Sequence, residues 1–255
     1  MTDFLYDGTF EGMLTCIYEY YYTEKASAVF RQDEYQENLL GGYLTIETDA
    51  EKARKVYDAI EQKISPFDLR RIYYVFNSCV EGRETIALRY AVKGFRNGSV
   101  ISSLHGDPDV YAAQQAANKV TKEIDKMLGI IRFSVLGDGE RKVYYAPVEP
   151  DNDMIEFVAG HFSNRFMDQA FIIHDVKRGK AVISSGGRWY ISAFQKEKLP
   201  PLAPDEEEFR DLWRLYFDTI AIRERTNPKC QRNFLPARYW KHLTEMTGTR
   251  EQDRG

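Results

Sequence analysis

The chain has 255 residues, of which 43% are hydrophobic and 29% charged, and its net charge is −4. This composition excludes an intrinsically disordered chain and does not by itself suggest a nucleic-acid-binding protein. The first residues lack a signal-peptide pattern and no apolar run is long enough to cross a bilayer, so we expect a cytoplasmic protein without membrane contact.

The first half of the chain is predicted to be mainly helical. Apolar residues recur there with the helical period, and capping residues precede several of the runs. The predicted elements are a strand at Phe4–Tyr6, a helix capped by Thr9, an irregular stretch over 24–42, a strand at Tyr43–Glu47, a helix from the capping-box pattern Thr48–Glu51 to about Lys63, and helices that start at Ser65-Pro66, Glu84 and Asp107, the last stopped by Gly129.

The second half changes to alternating patterns that predict a sheet. We expect a hairpin around Gly137–Gly139, a helix over 153–166, strands at Phe171–Ile173, Ala181–Ser184 and Trp189–Ala193, a linker marked by Pro200, Pro201 and Pro204, an amphipathic helix over Phe209–Ile220 and a short helix holding Tyr239-Trp240. The fold class is therefore α+β, with a helical N-terminal half, an antiparallel-rich central sheet and a helical C-terminal tail. We expect one domain over residues 1–255, or a subdivision into a mainly helical 1–128 and a 129–255 part that holds the sheet and the C-terminal helices.

The cysteines, Cys16, Cys79 and Cys230, are far apart in sequence and odd in number. This pattern fits neither a disulfide framework nor the short spacing of a zinc site, so each is interpreted as a small buried hydrophobe. No metal ligand set, phosphate loop or iron–sulfur cluster is recognisable, and we expect no metal and no cofactor.

One candidate catalytic set combines two histidines with an arginine and an aspartate. His161 and Arg165 are four residues apart on a predicted helix, and His174-Asp175 follows an apolar strand. Together they could form a proton-transfer or phosphate-binding centre. The alternative is structural, with His161 packed at a helix surface and His174 at a strand end.

A second candidate is a basic and aromatic tail. Residues 1–65 hold thirteen acids and six bases, whereas residues 223–241 hold six bases and one acid. Basic residues interleaved with aromatic ones suit phosphates and unstacked bases, although the same residues could staple the fold. The candidate nucleic-acid-binding residues are Arg223, Arg225, Asn227, Lys229, Gln231, Arg232, Arg238, Tyr239, Trp240 and Lys241.

Several ordered motifs resemble an uncharacterised bacterial family usually labelled "probable DNA metabolism protein". They are Tyr6-Asp7-Gly8-Thr9-Phe10-Glu11-Gly12, Gly129-Ile130-Ile131-Arg132-Phe133, Tyr145-Ala146-Pro147, His161-Phe162-Ser163-Asn164-Arg165-Phe166, Ile173-His174-Asp175, Ile220–Pro228, Gln231 and Pro236–Trp240.

The resemblance implies a DNA repair or modification context and a radical-SAM partner protein, because members are typically encoded beside one. In other bacteria the domain is fused to a uracil-DNA glycosylase-like domain. One departure is that relatives often have Glu-x-His before the central motif, where this chain has Glu123-Ile124-Asp125.

Three hypotheses follow. The first is an accessory protein that binds DNA, single-stranded or distorted, and a radical-SAM enzyme. The second is an enzyme that uses the His161, Arg165, His174 and Asp175 set on a nucleotide or damaged base. The third is a structural adaptor that binds only protein.

Overall fold

A computed structural model describes residues 2–36, 41–137, 142–196, 199–222 and 227–247. The chain divides into two compact units, Met1–Lys122 with Asp151–Asp153, and Glu123–Pro150 with Met154–Gly255. The mixed fold with a helical N-terminal region, a central sheet and a helical C-terminal tail confirms the predicted class.

The elements follow the predicted order with few exceptions. The strands are β1 (Thr2–Tyr6), β2 (Ala26–Arg31), β3 (Gly42–Thr45), β4 (Ser134–Leu136), β5 (Val143–Val148), β6 (Phe171–Asp175), β7 (Lys180–Ser185) and β8 (Arg188–Ala193). The α-helices are α1 (Phe10–Tyr22), α2 (Ala50–Lys63), α3 (Pro66–Phe76), α4 (Arg83–Asn97), α5 (Pro108–Ile130), α6 (Ile155–Phe166), α7 (Glu206–Ile220), α8 (Pro228–Phe234) and α9 (Thr244–Thr247). Gly98–Ser103 and Ala237–His242 are 3₁₀ helices.

The first unit holds a small parallel sheet in the order β2-β1-β3. The connection β1-α1-β2 joins two parallel strands through a helix, as parallel pairing requires. Strand β2 lies in the stretch predicted to be irregular, and that prediction is wrong. The strand gives a weak sequence signal because Val29 alone is fully buried in it.

Helix caps in the first unit follow from local sequence. Thr9 and Ser65 cap α1 and α3 as predicted, each accepting a hydrogen bond from a backbone N–H in the first turn. Two details differ. Asp49 caps α2, while the hydroxyl of Thr48 donates to Asp7. Helix α5 continues past Gly129 and ends at Ile130.

The second unit is built on a five-stranded sheet in the order β4-β5-β6-β7-β8. Only the β5–β6 pair is parallel, so the described sheet is rich in antiparallel pairs as predicted. Helix α6 buries Ile155, Val158, Ala159 and Phe162 against the face that carries Phe171. The turn predicted at Gly137–Gly139 lies partly outside the described residues.

The proline-rich stretch is not a free linker. Pro201 accepts a hydrogen bond from the N–H of Gly137, and the N–H of Ala203 donates to Val135. Leu202 forms a bridge with Leu136 of β4. The segment therefore pairs with the outer edge of β4, which removes the unpaired N–H and C=O groups of an edge strand.

The cysteine prediction is correct for one residue. Cys16 is buried, and burial raises the pKa of its thiol, but Cys79 and Cys230 are exposed. Within the described residues, no helix is both long and apolar enough to pass through a bilayer.

Candidate partner and nucleic-acid interface

Helix α7 is held to the sheet of the second unit by a buried carboxylate. Glu206 accepts a 2.8 Å hydrogen bond from the backbone N–H of Val135 in β4. Arg210, one turn later, donates to Glu206 at 3.1 Å and to Ser134 at 2.8 Å. Because Glu206 and Arg210 share one side of the helix, these bonds fix which side of α7 faces the sheet.

A second anchor ties α7 to α9. Glu245 accepts a 2.7 Å hydrogen bond from Arg132 and a 2.9 Å hydrogen bond from the indole N–H of Trp213. The guanidinium of Arg132 also lies over the Trp213 ring, 5.4 Å from its centroid. Burial favours a higher pKa for Glu245, but the hydrogen bonds from Arg132 and Trp213 outweigh it and the pKa is lowered.

The anchored helix leaves a wide apolar stripe exposed. We call this surface the α7 stripe. Its residues recur at helical spacing and cover the helix surface beside and opposite the side that carries Glu206 and Arg210. They are 54–64% exposed and comprise Phe209, Leu212, Leu215, Tyr216 and Ile220. The sequence predicts this amphipathic helix, but its exposure is evident only in the structure.

Two tail residues that are candidates for nucleic-acid binding make contacts within the tail. The side chain of Asn227 accepts from the N–H of Cys230 and caps α8. The indole N–H of Trp240 donates to the carbonyl of Leu235 at 2.8 Å. Both contacts agree with the alternative that part of the tail staples the fold.

Tyr239 is the most deeply buried of the candidate tail residues that the structure describes, at 3% exposure. Its hydroxyl donates a short hydrogen bond to the buried carboxylate of Glu123, and Arg238 donates to the same hydroxyl at 3.1 Å. Burial, with Glu123, raises the pKa of Tyr239. A side chain in this position supports the core of the second unit and presents little surface to a ligand.

Lys241 pairs with Glu149 at 2.6 Å, and the ring of His242 lies 3.2 Å from the same carboxylate. The ion pair with Lys241 lowers the pKa of Glu149, and burial lowers the pKa of His242 although Glu149 opposes this effect. Lys241 is half-exposed, and its ion pair with Glu149 already neutralises part of its charge.

Three of the candidate residues that face solvent lie on α8. Lys229, Gln231 and Arg232 are exposed and make no ion pair with other described residues. Arg223 and Arg225 lie outside the described residues. The exposed cations of α8 are therefore Lys229 and Arg232, which we call the α8 basic pair, while the exposed Arg238 and Lys241 already contact Tyr239 and Glu149.

The four candidate catalytic residues occupy different environments. His161 and Arg165 are exposed on α6, and the ring of His161 contacts Phe162 of its own helix. His174 is 4% exposed, accepts or donates a 2.8 Å hydrogen bond with the hydroxyl of Tyr145, and packs against Phe194.

Strand geometry separates His174 from α6. Successive side chains of β6 alternate between the two faces of the sheet, and Ile173 packs in the cluster that contains α6. His174 therefore points to the opposite face, where burial raises the pKa of Tyr145 to about 12. Asp175 is fully buried and pairs with Arg178 at 2.7 Å. The structure brings His174 together with Tyr145, and Asp175 with Arg178, but places His161 and Arg165 on the outer surface of α6.

Sequence reasoning missed the buried carboxylates Glu123, Glu206 and Glu245. Each has a partner from a distant segment of the chain: Tyr239 for Glu123, Val135 for Glu206 and Arg132 for Glu245. Among the described residues, no group of three or more His, Cys, Asp or Glu side chains is placed to hold a metal ion.

The fold and surfaces define an α+β protein with a small parallel sheet in one unit and an antiparallel-rich sheet with an exposed amphipathic helix in the other. A family described as "Domain of unknown function (DUF4130)" matches residues 81–245, and the chain belongs to this family. The expectation of an uncharacterised family is thereby confirmed. No curated protein and no solved structure matches the chain.

Proposed function

We propose that this chain is an accessory protein of DNA repair or modification that holds a partner protein on the α7 stripe. The observation that carries the proposal is the exposure of five large apolar side chains on one helix that Glu206 fixes to the sheet and Trp213 fixes to α9. Contiguous exposed apolar surface on a folded domain is typical of an interaction site.

The charge around the α7 stripe indicates what kind of surface a partner protein would present. Glu208 and Asp218 are exposed on α7 and form no ion pair with the described residues, so acidic charge borders the apolar side chains. A matching partner presents an apolar helix or groove flanked by lysine or arginine. The resemblance to the DNA metabolism family suggests which protein this partner is, namely a radical-SAM enzyme.

Leu212→Glu tests this proposal. Leu212 is 60% exposed, so we expect the free energy of unfolding to change by no more than about 0.5 kcal/mol. A charge in the centre of a desolvated contact should weaken binding to the co-expressed radical-SAM protein by about 30-fold or more, as for a hot-spot residue. Isothermal titration calorimetry measures this effect.

The matched control is Tyr111→Glu, because Tyr111 is 55% exposed on α5 and outside the stripe. Partner binding that survives Leu212→Glu would refute the proposal. Concentration-dependent self-association that Leu212→Glu abolishes would also contradict it, because a second copy of the chain would then cover the stripe.

DNA contact is the second part of the proposal, and the α8 basic pair supports it. Exposed cations without carboxylate partners can exchange their counterions for phosphates. We expect Lys229→Ala and Arg232→Ala each to lower the slope of log affinity against log salt by about 0.7 on single-stranded DNA. Fluorescence anisotropy at several salt concentrations measures the slope.

Lys177→Ala is the control for this prediction, because Lys177 is an exposed lysine of the second unit outside the tail. Unchanged slopes in both α8 variants would assign the chain to protein binding alone, as in the adaptor hypothesis. The enzyme hypothesis stays untested, and the separate environments of His161 and His174 do not favour it.

A further inference from the structure

A cavity in the first unit has a lining that no part of the proposed function uses. Its volume is about 570 Å³, within the usual range for small-molecule sites. Helices α1, α2 and α4 form it. The lining residues are Ile17, Tyr18, Tyr21, Tyr22, Lys55, Val56, Ala59, Lys63 and Phe95.

Aromatic rings form one wall of the cavity. Tyr18 and Tyr22 stack with centroids 4.4 Å apart and an interplanar angle of 27°. Tyr21 meets Phe95 edge to face at 5.8 Å. Because Tyr22 is 74% exposed, a face of its ring is open to a further flat group stacked on it.

The other wall carries positive charge. Lys55 and Lys63 are exposed on α2 and make no ion pair with the described residues. They are eight residues apart, about 12 Å along the helix, and both line the cavity. The nearby acid Glu19 is already paired with Lys52 at 2.8 Å, and no acidic residue lines the cavity among the described residues.

Arg96 adds to this field. Burial raises the pKa of Tyr21, and the positive charge of Arg96 partly opposes that rise, which places a third cation close to the aromatic wall. The first 65 residues are acidic as a whole, yet this cavity is locally basic. Within the screening length of about 10 Å, the local charge governs what binds.

We propose that the cavity binds a nucleobase that carries phosphate, with the base stacked on Tyr22 and phosphate oxygens at Lys55 and Lys63. Stacking on an aromatic ring beside a basic groove is the usual basis of sequence-tolerant single-strand binding. The inference rests on the nucleic-acid part of the proposed function and gives it a site in the first unit. The same chemistry would accept a free nucleotide.

The experiment compares a short single-stranded oligothymidine, a duplex of equal length and thymidine monophosphate as probes of the full chain. Tyr22→Leu keeps an apolar side chain but removes the ring, and we expect about 5- to 150-fold weaker binding of the single strand. Lys55→Ala and Lys63→Ala should each lower the salt slope by about 0.7. Tight binding of the monophosphate would identify a free nucleotide as the ligand, and tight binding of the single strand alone would identify a nucleic acid.

Two matched variants serve as controls. Tyr57→Leu changes an exposed tyrosine of α2 outside the cavity, and Lys119→Ala removes an exposed lysine of α5. The inference is overturned if Tyr22→Leu binds like the unaltered chain, if the controls lose affinity equally, or if no probe binds. If Lys229→Ala and Arg232→Ala lose binding of the single strand but Tyr22→Leu retains it, the cavity is not the binding site. The proposed function would still stand in that case.

Discussion

Replacing Asp68 with alanine should lower the free energy of unfolding of the first unit by about 3–5 kcal/mol. Asp68 is fully buried at the start of α3 and accepts hydrogen bonds from the hydroxyls of Tyr90 and Ser102, each at 2.6 Å. Arg71 donates to the same oxygen at 3.3 Å, and the hydroxyl of Ser65 donates to the other oxygen at 2.5 Å. Alanine removes the acceptor that these four donors share, and a buried donor without an acceptor keeps its full desolvation cost.

The three tryptophans, Trp189, Trp213 and Trp240, all belong to the second unit. Urea unfolding of Asp68→Ala should therefore be followed by far-ultraviolet circular dichroism together with hydrogen exchange of α3 and α4. Glu61→Ala, an exposed acid on α2, is the control and should change stability by no more than about 0.5 kcal/mol. A loss below about 1 kcal/mol for Asp68→Ala would show that the network is not a major support of the fold.

Local chemistry explains why most helices could be predicted. Thr9 and Ser65 lie directly before apolar residues at helical spacing, and each caps the helix that follows. Such signals depend only on neighbours in the sequence, so they can be recognised without knowledge of the tertiary structure. Strand β2 gives no such signal because its partner β1 is about twenty residues earlier and most of its side chains are only half-buried.

The exposure of the candidate site could not be predicted from the sequence. The spacing of Phe209, Leu212 and Tyr216 predicts an amphipathic helix, but an apolar side of a helix packs inward or stays exposed according to what lies beside it. Here Glu206 and Arg210 fix the adjoining side of the helix to the sheet through contacts with β4, about seventy residues earlier. The sequence pattern shows that the helix has a polar side and an apolar side, but it does not show which of them packs against the rest of the protein.

Paired charges are equally difficult to anticipate. Glu245 contacts Arg132 across 113 residues of sequence, and Glu123 contacts Tyr239 across 116. Neither pair has a characteristic spacing, and the basic and aromatic composition of the tail fits both a binding surface and a structural staple. In the structure, Tyr239 and Trp240 make internal contacts, whereas Lys229 and Arg232 are exposed cations.

Tyr239 provides the sharpest test of this division. Because the side chain is buried in the core of the second unit, Tyr239→Ala should lower the free energy of unfolding by about 3–5 kcal/mol through loss of apolar burial and the cavity that remains. Tyr239→Phe retains the ring and removes only the hydroxyl that donates to Glu123, so its cost should be about 1–3 kcal/mol. Tryptophan fluorescence during urea unfolding reports the second unit directly, and Arg232→Ala, an exposed tail variant, is the control.

The pH dependence distinguishes a buried hydroxyl from a surface one. The pKa of Tyr239 is raised in the folded chain, so the neutral hydroxyl stabilises the fold fully below the unfolded pKa of about 10, and this contribution is lost as the pH rises through the folded pKa. The stability difference between the unaltered chain and Tyr239→Phe should therefore be constant up to about pH 10 and shrink above it.

A Tyr239→Ala variant with unchanged stability and weakened DNA binding would contradict the structural role and return Tyr239 to the binding surface. Reduced stability in both variants, with DNA binding by the folded Tyr239→Phe protein unchanged, would support the structural role of Tyr239 and leave the exposed tail cations as the candidate DNA contacts.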